Sequence, residues 1–203
     1  MLAFLGLPIF EAIAAGTMLA MWFGGFPLET MAQKTFLGLN SSSLLSIPFF
    51  ILAGNLMARG ITQKLIGVAN VLLGRVRGAL GSVTVLASAL FGAISGSAVA
   101  TVAAIGGLTI PSMLKQGYDK PFAGGITAAA GSIGVIIPPS IPMVMYCVAT
   151  GASVGALFMA GFLPGILIGV SLCLYSSFYC KKHGYINKDA APFSWGNVGY
   201  ACL

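Results

Sequence analysis

Two long segments without a single charged residue constrain this chain more than any other feature. No Asp, Glu, Lys or Arg occurs in residues 78–114 or in residues 121–180. A membrane-spanning helix needs roughly 20 apolar residues. Over the whole chain 7% of residues are charged and 58% are hydrophobic, whereas soluble domains carry roughly 25% charged residues. The sequence therefore predicts an all-α integral membrane protein.

Apolar runs and their breaks predict about four spanning helices, one of them broken by proline. The predicted spans are residues 3–23, 43–58, 122–150 and 154–180. Residues 24–43, which contain Gly24, Gly25 and Pro27, are predicted to form a loop. Residues 61–77 have the pattern of a loose amphipathic helix on the membrane surface, or of a plain cytoplasmic connector. Residues 185–203 form a tail of unclear structure.

Residues 81–114 are long for one crossing and short for two, because two crossings with a turn need more than about 40 residues. A re-entrant hairpin fits this length, and two short spans give the same topology. With both ends of the hairpin in the cytoplasm, nine basic residues lie inside and only Lys34 lies outside. This distribution follows the positive-inside rule and predicts the orientation of a multi-pass protein. The net charge of +6 therefore marks topology and does not indicate nucleic-acid binding.

The sequence "GVIIPPSIPM" places Pro138, Pro139 and Pro142 within five residues. Proline lacks a backbone donor and disfavours helix at the residue before it. The span over residues 122–150 is therefore predicted to break near residues 137–140. Ser140 is the predicted N-cap of the second half-helix.

The hairpin tip is predicted at Ser95, Gly96 and Ser97, and its depth in the membrane matches that of the proline break. Broken helices that meet near mid-membrane indicate the binding site of a secondary transporter. Carbonyls at half-helix C-termini coordinate Na⁺, and N–H groups at N-termini attract a carboxylate. The hydroxyls of Ser97 and Ser140 are the candidate substrate contacts. Helix packing through Gly92 and Gly96, a G-x-x-x-G pair, is the alternative interpretation.

Other polar residues carry weaker indications. The four cysteines form no C-x-x-C pair and His183 is the single histidine, so neither enzymatic chemistry nor a bound cofactor is predicted. Three glycines four residues apart, Gly161, Gly165 and Gly169, favour helix packing. Glu11 is an acid inside an apolar segment, which makes a functional role a hypothesis.

Three segments resemble the large membrane subunit of the tripartite ATP-independent periplasmic (TRAP) transporters. They are "SIPFFILAGNLMARGITQKLI", "FGAISGSAVATVAAIGGLTIPSMLKQGYDKPFAGGITAAAGSIGVIIPPSIPMVMY" and "GASVGALFMAGFLPGI". The resemblance is good over residues 39–184 and corresponds to the N-terminal half of that subunit, the first of two inverted repeats. After residue 184 it fades.

The resemblance implies Na⁺-coupled uptake of organic acids, such as dicarboxylates, keto acids and sialic acids, by an elevator-type movement in a bacterial or archaeal inner membrane. A periplasmic binding protein and a small membrane subunit are the implied partners. Carried onto this sequence, Ser95, Gly96 and Ser97 form the hairpin tip. Residues 134–140, with Gly134, Pro138 and Ser140, form the broken loop, and both line the sodium site. The alternatives are a sodium-coupled carboxylate symporter without a binding protein and a truncated, non-transporting remnant or scaffold.

Overall fold

The computed structural model describes residues 8–40, 44–58, 60–73 and 79–185. Within these ranges all regular structure is α-helical, in nine helices and without a strand. In lipid a helix satisfies its backbone hydrogen bonds within one segment, which is why an apolar chain adopts this class. The chain forms two units, residues 1–44 and residues 45–203.

The first unit contains α1 (Ile9–Phe23) and α2 (Leu28–Leu39). Helix α1 starts after Pro8 and ends at Gly24, whose N–H donates to the carbonyl of Ala20 at 2.9 Å. Glu11 lies exposed in the first turn of α1, where the helix dipole favours a carboxylate.

The prediction of a loop over residues 24–43 was wrong for α2. Gly25, at φ +70°, and Pro27 make only a short turn, and Pro27 then occupies the position before the helix, where a missing N–H costs nothing. The residues that follow, "LETMAQKTFLGL", are rich in strong helix formers. Turn residues at both ends of the segment suggested a loop, but they mark where the helix starts and stops.

The second unit contains seven helices among its described residues. They are α3 (Ser46–Ala58), α4 (Ile61–Leu73), α5 (Ala79–Ser95), α6 (Ala98–Lys115), α7 (Lys120–Ile133), α8 (Ile141–Thr150) and α9 (Val154–His183). The predicted hairpin corresponds to α5 and α6, and the predicted proline-broken span corresponds to α7 and α8. Arg59 and residues 74–78 lie outside the described residues, as do residues 1–7, 41–43 and 186–203.

Helix α5 is the centre of the second unit and packs against α3, α4, α6, α7 and α9. Twelve of its 17 residues are buried. One face, with Val85, belongs to an apolar cluster with α7 and α9. The opposite face, with Phe91, packs against Ala69 of α4 and Ile105 of α6. Because α5 is held on all sides, its C-terminal residue Ser95 has a well-defined position.

Helix α9 runs through Pro164 without interruption over 30 residues. Gly161 and Gly165 are buried against the segment that joins α7 to α8, so that a Cβ at Gly161 would lie 2.6 Å from the carbonyl oxygen of Ile136. A Cβ at Gly165 would lie 2.5 Å from a side-chain carbon of Ile137. The small residues therefore let α9 approach this irregular backbone, which confirms the predicted packing role of these two glycines.

Two helices in the described part of the chain, α6 and α9, are long and apolar enough to cross a membrane by length and composition. Helices α1, α3, α4, α5 and α8 are apolar but have 10–17 residues. Which elements span the membrane, and whether α5 and α6 form a re-entrant hairpin, stays a prediction.

An aromatic cluster joins the N-terminal end of α7 to the C-terminal end of α9. The ring of Phe122 stacks on Tyr179 at 4.5 Å between centroids, and Tyr118 stacks on Tyr185 at 4.6 Å. The Asp119 carboxylate accepts hydrogen bonds from the hydroxyls of Tyr179 at 2.8 Å and Tyr185 at 3.2 Å. The hydrogen bond from Tyr179 is the main reason that the pKa of Asp119 lies below its usual range.

Candidate functional site

The turn between α5 and α6 consists of Gly96 and Ser97. Gly96 has a φ of +62°, a conformation that side chains disfavour, and its N–H donates to the carbonyl of Gly92 at 2.8 Å. Ser97 is the N-cap of α6, and its Oγ accepts a hydrogen bond from the N–H of Ala100 at 3.3 Å. The chain therefore ends one helix and starts the next within two residues.

The break between α7 and α8 covers residues 134–140. Gly134 is the C-cap of α7, and the peptide bond between Pro138 and Pro139 is cis. Ser140 stands at the N-cap position of α8, but its hydroxyl does not cap that helix. The Oγ of Ser140 donates instead to the carbonyl of Val135 at 2.8 Å, and the residue has no exposed surface. Ser140 thus closes the broken loop on itself.

The hairpin turn and the broken loop are in direct contact. The N–H of Ile141 donates to the carbonyl of Gly96 at 3.2 Å. A Cβ on Gly96 would lie 3.0 Å from the carbonyl oxygen of Pro139. On the adjacent turn Gly92 packs against the backbone of Gly134, with no room for a side chain between them. Two irregular segments that are about 40 residues apart in the sequence are therefore joined backbone to backbone.

Four helix ends converge at this contact. The C-termini of α5 and α7 arrive at Ser95 and Ile133, and the N-termini of α6 and α8 leave from Ala98 and Ile141. Helix C-termini carry partial negative charge and N-termini carry partial positive charge. No Asp, Glu, Lys or Arg occurs in residues 78–114 or 121–180, so helix ends, carbonyls and hydroxyls supply the local electrostatics. Such a set suits a small hard cation beside an anionic group.

Thr101 is a site residue that the sequence analysis missed. Its Oγ1 lies 3.4 Å from the Oγ of Ser95 and donates to the carbonyl of Ser97 at 2.7 Å. Thr101 is completely buried, and a Cβ on Gly134 would lie 2.7 Å from its Oγ1. The available signal was spacing, because Thr101 stands one helical turn after Ser97 and faces the same way.

The predicted site residues thus occupy one region, with different exposure. Ser95 is 3% exposed and its Oγ lies 3.4 Å from the backbone nitrogen of Ser97, whereas Ser97 itself is half-buried. Pro138 is buried in the broken loop. Helix α3 covers Ser95 from the other side, where a Cβ on Gly54 would lie 3.1 Å from the Ser95 Cβ. The close approach of Gly92 to Gly134 shows that small residues also serve packing here.

Comparison with known proteins identifies the family. Residues 1–198 match the family described as "Tripartite ATP-independent periplasmic transporter, DctM component". The isethionate TRAP transporter permease protein DctMQ of Oleidesulfovibrio alaskensis is 48% identical over 163 residues, which cover 80% of this chain and 26% of that protein. The sialic acid TRAP transporter large permease protein SiaM of Vibrio cholerae is 41% identical over 192 residues, covering 94% of this chain and 45% of that protein.

A third relative, the C4-dicarboxylate TRAP transporter large permease protein DctM of Rhodobacter capsulatus, is 41% identical over 180 residues. The match covers 81% of this chain and 41% of that protein. The chain spans less than half the length of these three relatives. On the family match and these identities, the chain belongs to the DctM family of membrane-integral TRAP transporter permeases.

Proposed function

We propose that this chain is part of the membrane subunit of a sodium-coupled secondary transporter that takes up organic acids. In this proposal a periplasmic binding protein delivers the substrate, and a small membrane subunit completes the complex in the inner membrane. The chain performs no catalysis. The observation that carries the proposal is the hydrogen bond from the Ile141 N–H to the Gly96 carbonyl, because it brings four helix ends together in a segment without charged residues.

Sodium binds, in this proposal, on the side where α5 and α7 end. Carbonyls at helix C-termini and neutral hydroxyls are suitable ligands for a small monovalent cation. The hydroxyls of Ser95 and Thr101 lie 3.4 Å apart at this point. Gly134 and Pro138 belong to the neighbouring loop and provide backbone carbonyls, and Gly134 has no side chain to obstruct its own. The site requires no buried carboxylate, and binding therefore costs no desolvation of a protein charge.

The organic acid binds, in this proposal, at the N-terminal ends of α6 and α8, whose dipoles favour an anion. Ser97 is half-buried and stands at the first of these ends, and Ser140 stands at the second. Ser140 is completely buried and its hydroxyl donates to the carbonyl of Val135, so it can donate to a substrate carboxylate only after the loop rearranges. An elevator-type movement then carries the site across the membrane.

The names of the relatives support this substrate class. They refer to isethionate, sialic acid and C4-dicarboxylates, which are acids that carry negative charge at neutral pH. Delivery by a periplasmic protein agrees with the family description.

Uptake into proteoliposomes tests the function. The complete permease that contains this chain is reconstituted with its small subunit, and a labelled C4-dicarboxylate, a sialic acid or isethionate is supplied with the cognate binding protein. We expect uptake that requires an inward Na⁺ gradient and the binding protein. Uptake that persists without the binding protein favours the independent symporter, and no uptake of any tested acid favours the non-transporting remnant.

Sodium binding is tested separately by thermal unfolding of the same protein in NaCl and KCl at equal ionic strength. We expect a higher melting temperature in NaCl, and we expect Ser95→Leu and Ser97→Leu to remove the difference. Ser112→Leu is the matched control, because Ser112 lies exposed on the same helix α6 and donates only to Leu108. Equal melting temperatures of the unmodified protein in both salts would contradict the sodium site.

A further inference from the structure

An apolar groove of about 470 Å³ lies between α5 and α9 and borders the broken loop at one end. Gly165 and Ile137 line one end of this α5–α9 groove, and Leu73, Ser82 and Ser177 line the other. Apart from Gly169 and Cys173, its walls between these ends are aliphatic. The groove lies entirely within the second unit, and the proposed ion and substrate contacts do not involve it.

The length of the groove matches one leaflet of a bilayer. From Gly165 to Ser177 the α9 wall covers thirteen residues, and the twelve steps between them span about 18 Å at the helical rise. Half of the hydrocarbon core of a bilayer is about 15 Å thick. A groove of this length and lining accommodates one extended acyl chain along α9.

A lysine stands at the end of the groove where a lipid headgroup would lie. Lys181 follows Ser177 by one helical turn on the groove-facing side of α9, and its side chain is exposed. Lys182 is also exposed in the same last turn, but helical geometry turns it about 100° away from Lys181. Only one of the two adjacent lysines therefore stands above the groove.

We propose that the α5–α9 groove binds an anionic phospholipid, with an acyl chain between α5 and α9 and the headgroup phosphate at Lys181. Three features favour this occupant: the apolar walls, the one-leaflet length and the exposed lysine at one end. The charge of Lys181 complements an anionic headgroup.

Photo-crosslinking in nanodiscs tests this proposal with the complete permease that contains this chain. The probe is phosphatidylglycerol with a photoactivatable group on its acyl chain, diluted into phosphatidylcholine. A phosphatidylcholine probe with the same acyl chain reports binding that does not depend on headgroup charge. We expect the phosphatidylglycerol probe to label the α9 wall between Gly165 and Ser177, as located by mass spectrometry of peptides.

The variants separate the headgroup contact from the acyl-chain contact. Lys181→Gln should reduce labelling by phosphatidylglycerol about fivefold, the factor expected for one lysine near an anionic surface, and Lys182→Gln should reduce it less, because Lys182 points away from the groove. Gly169→Leu should reduce labelling by both probes, because Gly169 lines the groove and a Cβ there meets nothing closer than 3.9 Å. Leu167→Phe is the control for Gly169→Leu and should leave labelling unchanged, because Leu167 lies on an exposed part of α9 outside the groove.

Equal labelling of the Lys181→Gln and Lys182→Gln variants would overturn the headgroup assignment. Labelling spread evenly over the exposed face of α9, with no effect of Gly169→Leu, would overturn the groove as a lipid site. Crosslinks from groove residues to another protein segment, in place of lipid, would show that a helix of the permease or of a partner occupies it and would also overturn the proposal.

Discussion

Replacing Gly96 by alanine measures how much the contact between the hairpin turn and the broken loop contributes to stability. At φ +62° an alanine pays about 1–2 kcal/mol for the left-handed conformation. Its Cβ would also lie 3.0 Å from the Pro139 carbonyl oxygen and 3.1 Å from the Ile141 nitrogen. Overpacking of this kind costs roughly 1–3 kcal/mol. We therefore expect Gly96→Ala to destabilise the protein by about 2–5 kcal/mol in total.

Two control variants separate the conformational cost from the contact cost. Gly117 has a φ of +88° and no atom within 4 Å of an added Cβ, so Gly117→Ala should cost only about 1–2 kcal/mol. Gly107 lies in α6 with the same open space, and Gly107→Ala should raise helix stability by up to about 1 kcal/mol. The free energy of unfolding is measured by titration of detergent micelles with sodium dodecyl sulfate, followed by far-ultraviolet circular dichroism.

The expected order of stability is Gly107→Ala, then the unmodified protein, then Gly117→Ala, then Gly96→Ala. If Gly96→Ala and Gly117→Ala lose the same free energy, the hairpin turn does not press against the broken loop. The four helix ends would then not converge as described, and the argument for an ion site would lose its structural basis.

Two further changes test the packing around the site. Gly161→Ala should destabilise the protein by roughly 1–3 kcal/mol, because the added Cβ would lie 2.6 Å from the Ile136 carbonyl oxygen. Gly155→Ala is the control and should not destabilise the protein, because its Cβ would have no neighbour closer than 4.0 Å. Equal melting temperatures of the two variants would contradict the described packing of α9. The lowered pKa of Asp119 means that its hydrogen bonds stabilise the folded state above the unfolded carboxyl pKa of about 3.9 and are lost as the pH falls through the lower folded value. The melting temperature should therefore decrease when the pH is lowered below about 4. Asp119→Asn should remove the part of this decrease that is due to Asp119, and Tyr185→Phe should make that part smaller. A pH profile of Asp119→Asn equal to that of the unmodified protein would refute the stabilising role of the Asp119 hydrogen bonds.

Local sequence patterns predicted where the two irregular segments of the candidate site lie. The chemistry of Ser95, Gly96 and Ser97 in an uncharged run indicated an irregular turn, since glycine permits positive φ and serine caps helices. The prolines at 138, 139 and 142 indicated a helix break by removing backbone donors. The prediction was wrong at α2, because the turn residues on either side of this helix suggested that the whole segment between them was a loop.

Spacing from Ser97 was the one sequence signal for Thr101, and the α5–α9 groove had none. Thr101 acquires its role from a neighbour six residues earlier and from Gly134 on another helix. The groove exists because α5, α9 and the broken loop leave a space between them, and no short segment encodes such a space.

The sequence by itself determined the all-α class, because a chain with 7% charged residues must satisfy its backbone hydrogen bonds within helices when it lies in lipid. Local chemistry also determined where the helices break. Only the tertiary structure decided that the two breaks touch, through a hydrogen bond between Gly96 and Ile141. That contact depends on how closely helices pack through glycine surfaces, and packing distance is a property of both partners that neither segment specifies alone.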